Sequence, residues 1–251
     1  MAWPDVVRSG VARLAGRGLD LLCPPRCAAC GADLATISGA AAICTACRRI
    51  LAAPERCARC GGSCPAGGCH GRGGRDDWDG IVVLGAYGDE LRRLVLRAKR
   101  PGGEPLAAAL GALCAERHAA TLAAWRIDVV VPVPMHWWRR AVRGASAAGE
   151  IARGVAAAIS RPLVSSLVRT RSTPPQNQLP FESRRGNVRG AFRALPGQAG
   201  RRVLLVDDVV TTGGTCSACR ATLLAAGVEA VFVAAAARAE REQDAVGGPD
   251  A

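Results

Sequence analysis

Val203-Leu-Leu-Val206-Asp207-Asp208-Val-Val-Thr211-Thr212-Gly213-Gly214-Thr215 joins a short apolar run to two carboxylates and then to a turn built from hydroxyls and glycines. The run Val203–Val206 suits a strand buried on both faces, and Cys216–Ala226, free of Gly and Pro, suits a helix. The turn between them therefore opens that helix. Backbone N–H groups at a helix start lack intrahelical partners and carry partial positive charge, so the turn fits a phosphate, with the hydroxyls of Thr211, Thr212 and Thr215 as further donors. Gly213 and Gly214 allow the backbone to come close. Asp207 and Asp208 would repel a bare phosphate; their expected task is to accept hydrogen bonds from vicinal hydroxyls beyond it, as on a ribose. The stretch predicts a ribose 5-phosphate site. The Thr-Thr-Gly-Gly-Thr turn alone reads equally well as an ordinary helix cap, and it is the strand with its two acids that tips the reading. Without Gly-Lys-Ser/Thr, a Walker-type loop is excluded.

Working outward, Ile81–Tyr87, Val129–Val133 and Ala230–Ala237 read as further strands, and Glu104–Ala124 and Ala145–Ile159 as helices. This alternation predicts an α/β fold with a parallel sheet covered on both faces, whose ligands collect at the carboxyl ends of the strands. Pro132-Val133-Pro134-Met135-His136 stands at a second such end, followed by Arg139, Arg140 and Arg143. Its Pro-x-Pro backbone is stiff enough to aim neighbouring groups and is compatible with a cis bond; a rigid turn without a ligand is the alternative. Arg169-x-Arg171-x-Thr173-Pro-Pro-Gln176-x-x-Leu179 continues through Arg184, Arg185, Asn187 and Arg189. Such a polar, proline-broken segment is either a mobile cover over an anionic substrate or a disordered basic linker.

The 251 residues, 49% hydrophobic, suffice for one medium domain and a small module. Of 33 basic residues only Lys99 is a lysine. Its survival in an arginine-rich chain is either chance or a sign that a compact ammonium is needed there. The net charge of +12 is concentrated in residues 161–202, where nine arginines face the single acid Glu182. A polyphosphate substrate, nucleic acid and a merely solvated basic surface all fit that distribution. No apolar run approaches the roughly 20 residues of a membrane span, and no continuous apolar stretch of signal-peptide type opens the chain, so a cytoplasmic protein is expected.

Nine of the 12 cysteines lie between Cys23 and Cys69. The knuckles Cys27-x2-Cys30, Cys44-x2-Cys47 and Cys57-x2-Cys60, then Cys64-x4-Cys69, are a zinc pattern: each pair presents two thiolates from one tight turn, and two pairs complete a tetrahedron. The simplest assignment is one zinc on Cys27, Cys30, Cys44 and Cys47 and a second on Cys57, Cys60, Cys64 and Cys69, with His70 and Cys23 as alternates. Disulfides are disfavoured without a secretory signal. Four thiolates leave no open position for water, so the module is structural or recognises a partner. Cys114, Cys216 and Cys219 read as core or site-lining.

Taken in order from Cys27 to Arg238, the knuckles, the Tyr87-Gly88 to Lys99 segment, Pro132-Val-Pro-x-His136, Arg143-Gly144, Arg169-x3-Thr173-x2-Gln176-x2-Leu179, Arg185-x-Asn187-x2-Gly190-Ala191-Phe192 and the Asp-Asp-turn resemble the ComF family of phosphoribosyltransferase-like proteins. The resemblance implies an N-terminal double zinc ribbon (residues 23–74), a type I phosphoribosyltransferase domain (75–239) and a link to DNA uptake in natural competence; outside it, residues 1–22 read as a short amphipathic helix packed on the protein or on a membrane, and 240–251 as a disordered tail. It further implies that Asp207, Asp208, Thr211, Thr212, Gly213, Gly214 and Thr215 bind phosphoribosyl pyrophosphate (PRPP) with Mg²⁺. Lys99, Pro134, His136, Arg139, Arg143, Arg169, Thr173 and Gln176 become the pyrophosphate and loop candidates, with a structural hydrogen bond as the other role for His136. Where the family carries an aromatic, Asn and Gln after Arg143-Gly144, this chain has Ala145-Ser146-Ala147, which removes contacts near the leaving group or acceptor. A non-catalytic protein binding a nucleotide or single-stranded DNA is the rival implication, with Trp137 and Trp138 either stacking on bases or sitting in the core.

Overall fold

The computed structural model describes residues 24–34, 41–54, 56–64, 69, 78–135, 146–170, 190–196 and 201–239. Among these, four strands form one parallel sheet: β1 (Ile81–Ala86), β2 (Val129–Pro132), β5 (Arg202–Val210) and β6 (Ala230–Arg238), in the order β1-β6-β5-β2. Val203 to Val206 are fully buried, and their alternation divides the core in two. Leu204 and Val206 join Val82, Leu84, Phe232 and Ala234 on one face; Val203 and Leu205 join Ile81, Val83, Val131 and Val233 on the other. Such two-sided burial is why these strands read as continuous apolar runs.

The first face is covered by α2 (Asp89–Ala98), α3 (Glu104–Arg117), α4 (Ala119–Ala124) and α5 (Ala147–Ala158). The second is covered by α6 (Gly214–Ala225) and by a small antiparallel pair, β3 (Leu167–Arg169) with β4 (Phe192–Ala194). A short helix, α1 (Thr45–Ile50), belongs to the first cysteine group, which packs against the first face.

Several elements differ from the sequence expectation. β5 does not stop at Val206 but pairs with β6 as far as Val210, so both acids lie in a strand rather than in a turn. Helix α6 starts at Gly214, two residues before the expected Cys216. The stretch Glu104–Ala124 is two helices, because His118 leaves helical backbone (φ −107°, ψ 24°) and its ring hydrogen-bonds the Val83 carbonyl at 2.9 Å. Helix α2 has no counterpart among the expected elements, although Leu91, Leu94, Val95 and Ala98 recur at helical spacing and Asp89 and Glu90 occupy its first turn. All described peptide bonds are trans, those at Pro132 and Pro134 included. The expected 1–22 segment and 240–251 tail, Cys23 and His70 lie outside the described residues.

Helices α3 and α5 touch backbone to backbone. A Cβ added at Gly111 would lie 2.1 Å from the Ile151 carbonyl oxygen, and one at Gly154 would lie 1.9 Å from that of Ala108. Neither carbonyl can give way without moving its helix. Gly154→Ala is therefore expected to lose about 3 kcal/mol or more of stability, at the upper end of overpacking costs, which urea unfolding would measure. A loss below about 1 kcal/mol would contradict this packing.

Candidate functional site at the carboxyl edge of the sheet

The two acids meet different elements, Asp207 the helix α6 and Asp208 the end of α2. Lys99, which caps the C-terminus of α2, places Nζ 3.0 Å from Asp208 Oδ2. Asp207 Oδ1 accepts from the Asp208 backbone N–H at 2.8 Å, and the Cys216 thiol of α6 lies 4.0 Å from Asp207 Oδ2.

Gly213 precedes α6 with φ 75°, a conformation that costs glycine little and allows the sharp reversal from strand to helix. Thr212 is buried, its Oγ1 accepting from Gly214 N–H at 3.4 Å, and Thr215 stands in the first helical turn. The carboxylates thus border a helix start, which favours anionic oxygens. Pro134 follows Val133, whose N–H bonds the Val206 carbonyl at 2.8 Å, so this loop reaches the same edge.

Arg169, on β3, stacks its guanidinium 5.6 Å from the Phe192 ring centroid, and its charge acts on both Asp207 and Cys219. The structure therefore brings Lys99, Arg169, Asp207, Asp208, Thr212, Gly213, Gly214 and Thr215 to one edge. His136, Arg139, Arg143, Thr173 and Gln176 lie outside the described residues. Of the divergent tripeptide, Ser146 caps α5 by accepting from Gly149 N–H at 3.4 Å, and Ala147 is buried in that helix's first turn.

Burial, reinforced by the adjacent Asp208 charge, pushes the Asp207 carboxyl up to about 7, against the opposing pull of the Asp208 N–H, Lys99 and Arg169. Burial followed by the Asp207 charge raises the Cys219 thiol well above its ordinary value, so it stays protonated. Asp208 is the acid of the pair that meets Lys99.

The cysteine module forms two separate groups. In each of Cys27, Cys30, Cys44, Cys47 and Cys57, Cys60, Cys64, Cys69, the sulfurs all lie within 4.8 Å of one another, and none is in a disulfide. Two knuckles have the same backbone: Gly31 N–H bonds the Cys27 carbonyl and Gly61 N–H the Cys57 carbonyl, both at 2.7 Å, with positive φ at each glycine. Burial alone would raise the Cys27 thiol, yet backbone N–H donors at Cys44, Cys30 and Ala29 bring it down to about 6; against the same burial, donors at Arg59 and Cys60 bring Cys57 to about 7. Burial and the neighbouring sulfurs push Cys47, Cys60 and Cys64 the other way, so one sulfur of each group is primed as a thiolate, and four sulfurs so crowded suit structural zinc.

Both groups are fastened to the sheet domain. Arg48 of α1 pairs with Glu116 of α3 at 2.7 Å, and Ala41 N–H reaches the other Glu116 oxygen at 3.0 Å. Ile81 N–H donates to the Ala58 carbonyl at 2.8 Å, and Trp78 Nε1–H to that of Arg59 at 3.0 Å.

The fold and the edge site define a phosphoribosyltransferase-type domain, and the family model of the phosphoribosyl transferase domain matches residues 103–248. Similar proteins include the DNA utilization protein YhgH of Escherichia coli K12, 32% identical over 85% of this chain and 96% of that protein. The competence protein F of Haemophilus influenzae is 28% identical over 78% of this chain and 90% of its own length. The YhgH protein of Salmonella typhimurium is 30% identical over 76% of this chain and 88% of that protein. With its two four-cysteine groups, the chain belongs to the ComF family of phosphoribosyltransferase-domain proteins. No helix among the described residues is long and apolar enough to cross a membrane.

Metal analysis should find two zinc ions per chain, and one in Cys60→Ser; an unchanged count in the variant would remove Cys60 from the ligands. The acid pair has its own signature. An unfolded aspartate loses its proton near pH 4, whereas folded Asp207 keeps it until about 7, so the folded state binds more protons in between and this stabilisation is lost as pH rises through that window. Asp207→Asn should gain melting temperature relative to the parent between about pH 5 and pH 8 and converge on it near pH 4. A difference constant across this range would contradict the assignment.

Proposed function

We propose that the edge site binds PRPP, or a related ribose 5-phosphate ligand, together with Mg²⁺. The observation carrying this reading is that two adjacent acids stand near the carboxyl end of β5, a few residues before the positive-φ Gly213 that opens α6, with Lys99 and Arg169 beside them. In this reading the first turn of α6 and Thr211 to Thr215 hold the 5-phosphate, and Asp207 and Asp208 accept from the ribose hydroxyls. Lys99, with Arg139 and Arg143, neutralises the leaving pyrophosphate. Mg²⁺ would enter with the ligand beside Asp207 and Asp208 and would supply further charge neutralisation.

A group-transfer step at this site would break the bond from the anomeric carbon to pyrophosphate and form one to an acceptor nitrogen, through an oxocarbenium-like state. The protein's part is positioning and electrostatics. The raised Asp207 carboxyl lowers the charge of the site, which lessens repulsion of an incoming polyphosphate.

The names of the relatives, competence protein F and DNA utilization protein, support placing this activity in the handling of incoming DNA. Ser146 is engaged in capping α5 and Ala147 is buried, which favours a second reading, a non-catalytic site for a nucleotide or for single-stranded DNA.

Calorimetric titration of the zinc-loaded protein with PRPP and Mg²⁺ tests the first reading. Binding is expected, and at least a tenfold loss, about 1.4 kcal/mol, in the Asp207→Asn/Asp208→Asn variant. No binding to either protein would turn attention to single-stranded DNA, whose affinity should then fall steeply with salt.

A further inference from the structure

Arg97 stands on the last turn of α2, two residues before Lys99, and has no place in the site described above. Its Nη2 donates to two carbonyl oxygens of the first cysteine knuckle, those of Ala28 and, at 2.6 Å, Ala29. These are the two residues between Cys27 and Cys30. A knuckle folds its N–H groups inward, as the donor from Ala29 to the Cys27 sulfur illustrates, and so turns carbonyls outward. Arg97 takes up that outward face. A guanidinium can serve two such oxygens at once, and its charge strengthens both bonds.

The chain between this clamp and the edge site is short and stiff. Lys99 N–H bonds the Leu96 carbonyl at 3.3 Å, Arg100 N–H the Arg97 carbonyl at 3.0 Å, and Gly103 N–H the Arg100 carbonyl at 3.0 Å. Gly103 packs so tightly on this end of α2 that an added Cβ would lie 2.6 Å from the Arg97 carbonyl oxygen. Movement of Arg97 therefore carries Lys99 with it. Lys99 in turn reaches Asp208 with a long, flexible side chain that is 30% exposed, so the pairing depends on where the end of α2 is held.

We propose that Arg97 is a positioning residue that couples the first cysteine cluster to the edge site, by holding the C-terminal end of α2 so that Lys99 pairs with Asp208. The state of the Cys27–Cys30 knuckle is then registered at a carboxylate of the edge site.

Because Lys99 is the single lysine, lysine labelled with ¹⁵N at Nζ and ¹³C at Cε gives one side-chain resonance in the full-length zinc-loaded chain. Asp208→Asn marks the position of that resonance when the pair is broken. Arg97→Ala is expected to move it at least half of the way there. Arg93→Ala removes an exposed arginine of the same helix that pairs locally with Glu90 at 2.6 Å, and is expected to leave the resonance in place. The proposal is overturned if Arg97→Ala leaves the signal where the parent has it, if Arg93→Ala moves it as far as Arg97→Ala does, or if Asp208→Asn does not move it at all. The readout uses no ligand, so a failure of PRPP to bind bears on the ligand assignment alone.

Discussion

The contact between α3 and α5 at Gly111 and Gly154 is the constraint on which the arrangement of this molecule depends. Two helices whose backbones touch have almost no freedom to slide, and α3 is the element to which most of the first face is attached. Arg117 donates to the Leu84 carbonyl at 2.7 Å and His118 bonds that of Val83, fixing α3 on β1. The Cys114 thiol reaches the Ala235 carbonyl of β6. Gly103, at the other end of α3, backs the terminus of α2, and Glu116 receives the cysteine module. A small shift of α3 would be felt at every one of these places.

The edge site inherits its electrostatics from this frame. The two acids meet different covers of the sheet, and each cover supplies a cation, Lys99 from the end of α2 and Arg169 from β3. The acids are consequently not equivalent. Both are part-buried; Asp208 is ion-paired, while desolvation and the neighbouring Asp208 charge let Asp207 keep a proton into the neutral range. Adjacent carboxylates that differ in this way can present both a charged and a neutral oxygen group to a ligand at one pH.

Much of this was legible in the sequence. The apolar runs of β5 and β6, the cysteine spacing and the Asp-Asp-turn each carry local chemistry that survives folding. What escaped is of two kinds. Helix α2, which positions Lys99, carries its signal openly in Leu91, Leu94, Val95 and Ala98, and a search for helical spacing between Tyr87 and Lys99 would find it. The pairing of Lys99 with Asp208, the meeting of Arg97 with Ala28 and Ala29, and the approach of Gly111 to Ile151 are of the other kind. They link residues far apart in the chain, and nothing in either partner's local sequence announces the other. The length of β5 exceeds its apolar run because acids are poor strand formers taken singly, whereas here the ladder with β6 as far as Val210↔Arg238 decides.

The second cysteine turn has a role that concerns solubility. A four-stranded open sheet has two edges whose unpaired N–H and C=O groups are templates for another chain. Along β2 the edge is taken by the Pro162–Val164 segment, with Val130 N–H on the Pro162 carbonyl and Val164 N–H on that of Val130, both at 2.9 Å. At the start of β1 the outward N–H of Ile81 is taken by Ala58, which lies between Cys57 and Cys60. The turn between Cys57 and Cys60 thus occupies the donor at the start of β1, as the Pro162–Val164 segment occupies the edge of β2, so neither place offers that group to another chain.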